Sequence, residues 1–275
     1  MKGLSHVQAS SSDHSAPPLS VAVITMNEEA NLARCLQSVV GLAREIVVID
    51  SGSTDATLEI ARQYGARIEV RAWPGHVKQK NHALAQCHEP WVLSLDADEA
   101  LSPELRQAIV DLFAQGEPAH AGYLVNRRTF YLGDWIWHAW YPEWRLRLVQ
   151  RTQAQWIGTD PHDLLSVAGT TARLRGDLLH YSYRDLEDHL LRTIKYAHIG
   201  ATEILRKGGR FQGHKLLLSP WSRLLRSLVL KQAWRDGWRG WVIAFSSMLS
   251  SFAKYAFVLE HELKRRTKIR KPDES

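Results

Sequence analysis

From Leu19 onward the chain alternates short apolar runs with stretches whose apolar residues recur every three or four positions. Ser20-Val-Ala-Val-Ile-Thr25 predicts a buried strand. Glu28 to Val40 sets Leu32, Cys35, Leu36 and Val39 on one helical face, and Gly41 stops that helix. Glu45 to Asp50 predicts a second strand, followed by the polar turn Ser51-Gly-Ser-Thr-Asp55 and a helix that Gly65 ends. Ala66 to Val70 is a third strand, Lys78 to Cys87 a helix, and Trp91 to Asp96 a fourth strand. Ser102-Pro103-Glu104 offers an N-cap, a first-turn proline and a first-turn acid, opening a helix that runs to Gln115. Apolar strands joined by crossover helices predict an α/β fold with a mainly parallel central sheet flanked by helices.

Thr25, Asp50 and Asp96 each close a strand, so their side chains are expected at the carboxyl edge of the sheet, where open α/β folds bind ligands. Residues 116–183 read as shorter strands and loops carrying Trp135, Trp137, Trp140, Trp144 and Trp156. Most of these indoles are expected in packing and one or two against a ligand. From 216 to 259 apolar and aromatic residues such as Leu224, Trp234, Trp238, Trp241 and Phe245 interleave with Arg223, Arg226, Lys231, Arg235 and Arg239. That is the pattern of amphipathic helices lying in a membrane interface, or of helices packed on a domain. Trp241 to Phe252 is the most apolar stretch, and Lys254 interrupts it before the roughly 20 residues of a spanning helix.

Charge sharpens this division. The 275 residues carry a formal +6, but residues 1–199 hold a net −4 and residues 200–275 a net +10. A basic C-terminal region of this kind faces an anionic partner. No helix-turn-helix, RRM or zinc pattern accompanies it, so an anionic membrane surface is expected and nucleic acid is not. The terminal run Lys264 to Lys271 adds six cations. Residues 1–18 have no apolar stretch after Lys2 and read as a disordered lead-in, which predicts a protein kept in the cytoplasm, peripheral on the inner face of the membrane. Cys35 and Cys87 read as buried thiols of a reducing compartment.

Asp96-Ala-Asp98 suits a metal–diphosphate complex, because an extended chain would aim both carboxylates the same way and hard divalent ions take oxygen ligands. Other readings fail on spacing. Leu101 stands where an EF-hand loop needs glycine, no G-x-G-x-x-G follows the first strand, and Gly208 to Lys215 only approximates a phosphate loop.

Three segments, Val23-Ile-Thr25-Met-Asn27-Glu28-Glu29, Ile49-Asp50-Ser-Gly-Ser-Thr-Asp55 and Leu95-Asp96-Ala-Asp98-Glu99, resemble the successive motifs of family 2 glycosyltransferases with the GT-A fold. The resemblance covers residues 19–183. Trp144-Arg-Leu-Arg-Leu148, Pro161-His162-Asp163 and Leu179-His180-Tyr-Ser-Tyr183 are most similar to its lipopolysaccharide-core glucosyltransferases, which usually have His-Glu where this chain has His162-Asp163.

The resemblance implies a UDP-sugar donor, a lipid-linked oligosaccharide acceptor and a divalent cofactor, Mn²⁺ or Mg²⁺. Asp50 could then accept the uracil N3–H, and Thr25, Asn27 and Glu28 or Glu29 could hold base and ribose. Asp98, helped by Asp96, would hold the metal, with His180 a further ligand or a diphosphate hydrogen bond. Lys78, Lys80, Arg145 and Arg147 are candidate phosphate contacts. Inversion at the anomeric carbon needs a base for the acceptor hydroxyl; Asp163 is the candidate and Asp160 its rival, one of them being a loop cap. Asn81 and His82 have no assigned role. The expected domains are a catalytic region over 19–199 and a basic helical, membrane-associating region over 200–275. Transfer to a polyprenyl phosphate and a non-catalytic binding module with the same fold are the competing readings. The oligomeric state is left open.

Overall fold

The computed structural model describes residues 16–160 and 162–270, so most of the lead-in expected over 1–18, together with Pro161 and Lys271, lies outside the described residues. In chain order the first elements are β1 (Leu19–Thr25), α1 (Leu32–Val39), β2 (Glu45–Asp50), α2 (Thr57–Gln63), β3 (Arg67–Val70), α3 (His76–Gln86) and β4 (Trp91–Asp96). Then come β5 (Glu99–Leu101), α4 (Pro103–Ala114), β6 (Gly122–Tyr131), β7 (Asp134–Trp135), β8 (Trp144–Gln150), β9 (Ala154–Thr159), β10 (His162–Val167) and β11 (Thr171–His180). Three helices follow: α5 (Leu186–Arg206), α6 (Gly213–Leu225) and α7 (Gly237–Arg270). A π-helical turn (Arg226–Leu230) and a 3₁₀ turn (Ala233–Asp236) link α6 to α7.

The chain divides into two compact units. The first comprises the described residues up to Ala97, Arg106–Tyr123 and Leu146–Ala172; the second comprises Asp98–Leu105, Leu124–Arg145 and the described residues from Arg173 on.

In the first unit β3, β2, β1 and β4 are parallel neighbours in that order, and β8 runs antiparallel beside β4. The β1 strand is buried along its whole length, as expected of a central strand covered on both faces. Register places Thr25 opposite Asp50 and Ile24 opposite Asp96, so the three polar strand ends do sit side by side at the carboxyl edge. The β9–β10 hairpin forms its own small sheet. Its Trp156 and Leu165 share a core cluster with Ala83, Leu84 and Cys87 and with Ile24, Val47, Ile49 and Val92 of the strands. The helix expected from Glu28 starts at Leu32 instead, because Asn27 takes a left-handed φ of 54° and residues 27–29 bond to the loop after β2.

In the second unit β6, β11 and β5 are successive neighbours and β7 pairs with β6. The three-residue β5 escapes a periodicity reading because it is too short to show one. Asp185 caps α5 by accepting from the Asp188 amide at 2.8 Å. Tyr131, fully buried, donates to or accepts from His189 Nδ1 and anchors a cluster with Ile136, Ala139, Ala233 and Ile243. Ala233 and Ile243 come from the basic C-terminal region, which therefore supplies core to this unit. Position 199/200, where a region boundary was expected, falls inside α5.

An 18-residue window within Ala233–Arg265 reaches a mean hydropathy of 1.5, so α7 is long and apolar enough for a membrane span by length and composition, further than the Trp241–Phe252 run suggested. A third of that window is buried within the protein.

Candidate active site

At the carboxyl edge of the first unit two loops are stitched together. The Asn27 amide donates to Ser53 Oγ at 2.8 Å, and Asn27 Oδ1 accepts from the Thr54 amide at 2.8 Å. The Glu28 amide donates to Thr57 Oγ1 (2.8 Å) and Glu29 Oε2 accepts from the Ala56 amide (3.0 Å). Asp50 is wholly buried, with Oδ2 accepting from the Gly52 and Ser53 amides at 2.8 Å each and Oδ1 from Ser53 Oγ. These residues, read from the sequence as base and ribose contacts, thus brace the loops themselves. Thr25 differs: it is buried, and its Oγ1 has no hydrogen-bond partner among the described residues. A buried hydroxyl left without a partner costs stability.

Beside this edge four charged side chains gather. Lys80 Nζ lies 2.8 Å from Asp96 Oδ1 and 2.8 Å from Asp163 Oδ2, and Arg147 Nη2 lies 3.0 Å from Asp96 Oδ2. Lys80 is 6% exposed and stands over the Trp156 ring, 4.4 Å from its centroid. Burial in such a place requires pairing, and two acids against two bases supply it. Asp160 is placed elsewhere, its Oδ1 accepting from the Val77 amide at 3.2 Å in the first turn of α3. Gly75, with φ +107°, has no Cβ to occupy the space the Asp160 carboxylate fills. Of the two candidate bases, then, Asp160 serves the helix N-terminus and Asp163 joins the charged cluster.

Ala97 and Asp98 form a turn, so the extended geometry expected across the D-x-D segment does not hold. Asp98, in the second unit, has its Oδ2 3.5 Å from His180 Nε2, while His180 Nδ1 is 3.4 Å from Thr129 Oγ1. The Tyr181 amide donates to the Asp98 carbonyl at 2.9 Å, tying the turn to the end of β11. Nearby in sequence, the wholly buried Glu99 pairs with Arg127 (3.4 Å), which also pairs with Glu143 at 2.8 Å; Arg145 completes that network. Among the described residues no group of three or more His, Cys, Asp or Glu gathers as a metal site.

Residues 20–170 match the family model described as glycosyl transferase family 2, over more than half of the chain. The chain belongs to glycosyl transferase family 2. It is 31% identical over 265 residues, 92% of this chain and 96% of the other, to the lipopolysaccharide core biosynthesis glycosyltransferase LpsC of Rhizobium meliloti (strain 1021). An uncharacterized glycosyltransferase of Rickettsia typhi (strain ATCC VR-144 / Wilmington), RT0209, is 30% identical over 262 residues, 91% of this chain and 90% of that one. Among solved structures, the mannosyltransferase PcManGT from Pyrobaculum calidifontis, in complex with GDP-Man and Mn²⁺, aligns with a TM-score of 0.51 over 89% of this chain and 88% of its own, at 14% identity. That likeness speaks for the fold alone. The fold is GT-A, a mixed sheet with flanking helices, and the apolar C-terminal helix accompanies it.

In this family 2 glycosyltransferase the sequence reading missed Gln79 and gave no role to Asn81, the two neighbours of Lys80. Gln79 Nε2 donates to Ser51 Oγ at 3.2 Å, and Asn81 grips the Trp156 backbone from both sides, donating to its carbonyl (2.7 Å) and accepting from its amide (2.9 Å). Polar residues on a helix read as surface in a sequence. Only their spacing beside Lys80 could have flagged them. Lys78 is exposed, and His82 pairs with Glu69 at 2.7 Å, outside the cluster. Both cysteines are free and buried; burial, with the Glu45 charge adding, pushes the Cys87 thiol up to about 12, so it stays protonated and inert.

Proposed function

We propose that this glycosyltransferase is a metal-dependent, inverting enzyme that moves a sugar, glucose, from a UDP-sugar to a lipid-linked oligosaccharide of the lipopolysaccharide core. The observation that carries the reading is the meeting of Asp163 and Asp96 on one ammonium, beside the strand edge where Thr25 keeps an unpartnered buried hydroxyl. A base candidate and a D-x-D carboxylate then share one site, as an attack on a diphosphate-activated carbon needs. The acceptor follows from the 31% identity to a protein named for lipopolysaccharide core biosynthesis.

In this reading Thr25 contacts the uridine, and Asn27, Glu28, Glu29 and the buried Asp50 shape the loops that receive it. The choice of uracil rests on the resemblance of the Ile49–Asp55 segment to the family motif. Asp98 Oδ2 and His180 Nε2, an oxygen and an imidazole nitrogen, would form a donor pair that fits Mn²⁺ better than the all-oxygen preference of Mg²⁺, with Asp96 two positions before Asp98 in the chain. When bound, the ion neutralises the charge that develops on the departing diphosphate. Arg147 keeps the Asp96 carboxylate in place, and Lys80 joins it to Asp163. Asp163 accepts the proton of the acceptor hydroxyl as its oxygen bonds to the anomeric carbon and the bond to the UDP oxygen breaks, the electron pair leaving with UDP.

The acceptor's lipid places the enzyme at the inner face of the membrane, peripheral and cytoplasmic. On α7, Trp238, Trp241, Phe245, Leu249 and Phe252 are exposed, while Ile243, Ala244, Ser246, Ser251 and Ala253 are buried. Two faces at helical spacing suit a helix lying in the interface better than one crossing it.

Thermal unfolding with UDP, GDP and CMP, each with and without Mn²⁺, tests the core of this reading. A UDP-selective, Mn²⁺-dependent rise in Tm is expected, lost in Asp98→Ala; ligand at about 100 times its Kd adds about 2.7 kcal/mol. No shift with any nucleotide sinks the transferase mechanism. A shift with GDP alone removes the UDP assignment.

A further inference from the structure

Three consecutive residues of α3 each reach a different part of the site. Gln79 touches Ser51 in the loop after β2, Lys80 joins Asp96 to Asp163, and Asn81 holds the backbone of Trp156 on β9. A helix turns about 100° per residue, so three successive side chains necessarily point in three directions. The site is therefore hung on one short stretch of helix. Asp160 at the first turn of α3 fastens the same β9–β10 hairpin a second time, at its tip.

The sequence suggested Lys80 as a phosphate contact, and its surroundings argue for another role. Its ammonium is buried, holds two carboxylates at 2.8 Å and rests on an indole face. To reach a phosphate it would have to leave both carboxylates, and breaking a buried pair by removing one partner is strongly unfavourable. Resting on the transferase reading above, we propose that Lys80 is a positioning residue for the base: it holds Asp163 at a set distance from Asp96 and compensates the charge of both. Without the ammonium Asp163 loses its counter-charge and is repelled by Asp96, which Arg147 still holds, and the hairpin carries Asp163 away from the acceptor. Donor affinity is preserved, because Arg147 still holds Asp96 at 3.0 Å.

The test compares wild type with Lys80→Met, Lys80→Gln, Lys80→Arg, Asp163→Asn and the double variant Lys80→Met/Asp163→Asn in the full chain. Calorimetry with UDP and Mn²⁺ is the first arm. Affinity of Lys80→Met or Lys80→Gln within about twofold of wild type is expected, and it also certifies the fold; a loss of about tenfold, the size of one charge-assisted phosphate contact, overturns the proposal. The second arm follows UDP release from UDP-glucose with Mn²⁺ as glucose passes to an added lipopolysaccharide-core acceptor. Here kcat falls about 100-fold with KM nearly unchanged, the size of a general-base effect, and Lys80→Arg recovers part of it. The double variant is no slower than Asp163→Asn alone. A rise in KM at constant kcat, or additive losses in the double variant, overturns the positioning role while leaving the transferase reading intact. Wild-type protein that binds no UDP with Mn²⁺ overturns the reading, and this proposal with it.

Discussion

Asp160 and Asp163 are three residues apart and chemically identical, and the structure gives them different work. Asp160 sits where a Cβ on Gly75 would be, at the amino end of α3. Gly75→Ala is therefore expected to cost about 1–3 kcal/mol, from the strained φ of +107° and the displaced carboxylate, measured by urea unfolding. Glu143 makes a second residue-level prediction. Burial pushes its carboxyl up, but the hydrogen bond and charge of Arg127, with Arg145 adding, outweigh this and hold it at about 2 against an ordinary 4.5. A pKa depressed in the folded state contributes stability that is present above 4.5 and lost as pH falls through the interval down to about 2. Glu143→Gln should flatten the acid limb of a stability–pH curve over that interval. An unchanged acid limb would remove the pair from the account of acid unfolding.

At the scale of elements, the β9–β10 hairpin depends on α3 for its place. Trp156 and Leu165 pack with Ala83 and Leu84, and Asn81 closes two hydrogen bonds on the Trp156 backbone. Asn81→Ala leaves a backbone donor and acceptor unsatisfied at a buried position, a cost of about 1–3 kcal/mol. Amide exchange at Trp156 and across the hairpin should quicken, with β1 and β2 unaffected; uniform quickening would mean that the hairpin opens only with the whole unit. Strands β1, β2 and β4 were legible because buried parallel strands are unbroken apolar runs, and their polar ends marked the site. The shortened α1 was not legible, since Glu28 and Glu29 have good helix propensity and are drawn off by hydrogen bonds to Thr57 and Ala56 at the start of α2, 29 and 27 residues further on.

Across the whole chain, the basic C-terminal region is structural as well as exposed. Removing residues 216–275 would take Ala233 and Ile243 out of the cluster around Tyr131, so truncation is expected to unfold the second unit as well as to abolish the membrane binding proposed above. Point changes separate the two. Trp234, Trp238 and Trp241 are each about half exposed, and replacing all three with Ser should weaken binding to phosphatidylglycerol vesicles at least about tenfold with the circular dichroism unchanged. Binding should also weaken with salt, as expected for a region of net +10 against an anionic surface. Wild-type affinity in the triple variant would remove these indoles from the membrane contact.

The sequence by itself determined the α/β class, the strand ends that carry Thr25, Asp50 and Asp96, the family, and the asymmetry of charge, because each is written in local pattern or composition. Tertiary structure decided which side chains face one another. Lys80 and Asp163 are 83 positions apart, Asn81 and Trp156 are 75 apart, and Asp98 meets His180 across the end of β11. Such pairs leave no periodic trace, since a polar residue on a helix or hairpin looks the same whether it faces water or a buried partner. Long-range packing alone turns the one into the other, by removing the water that would otherwise satisfy it.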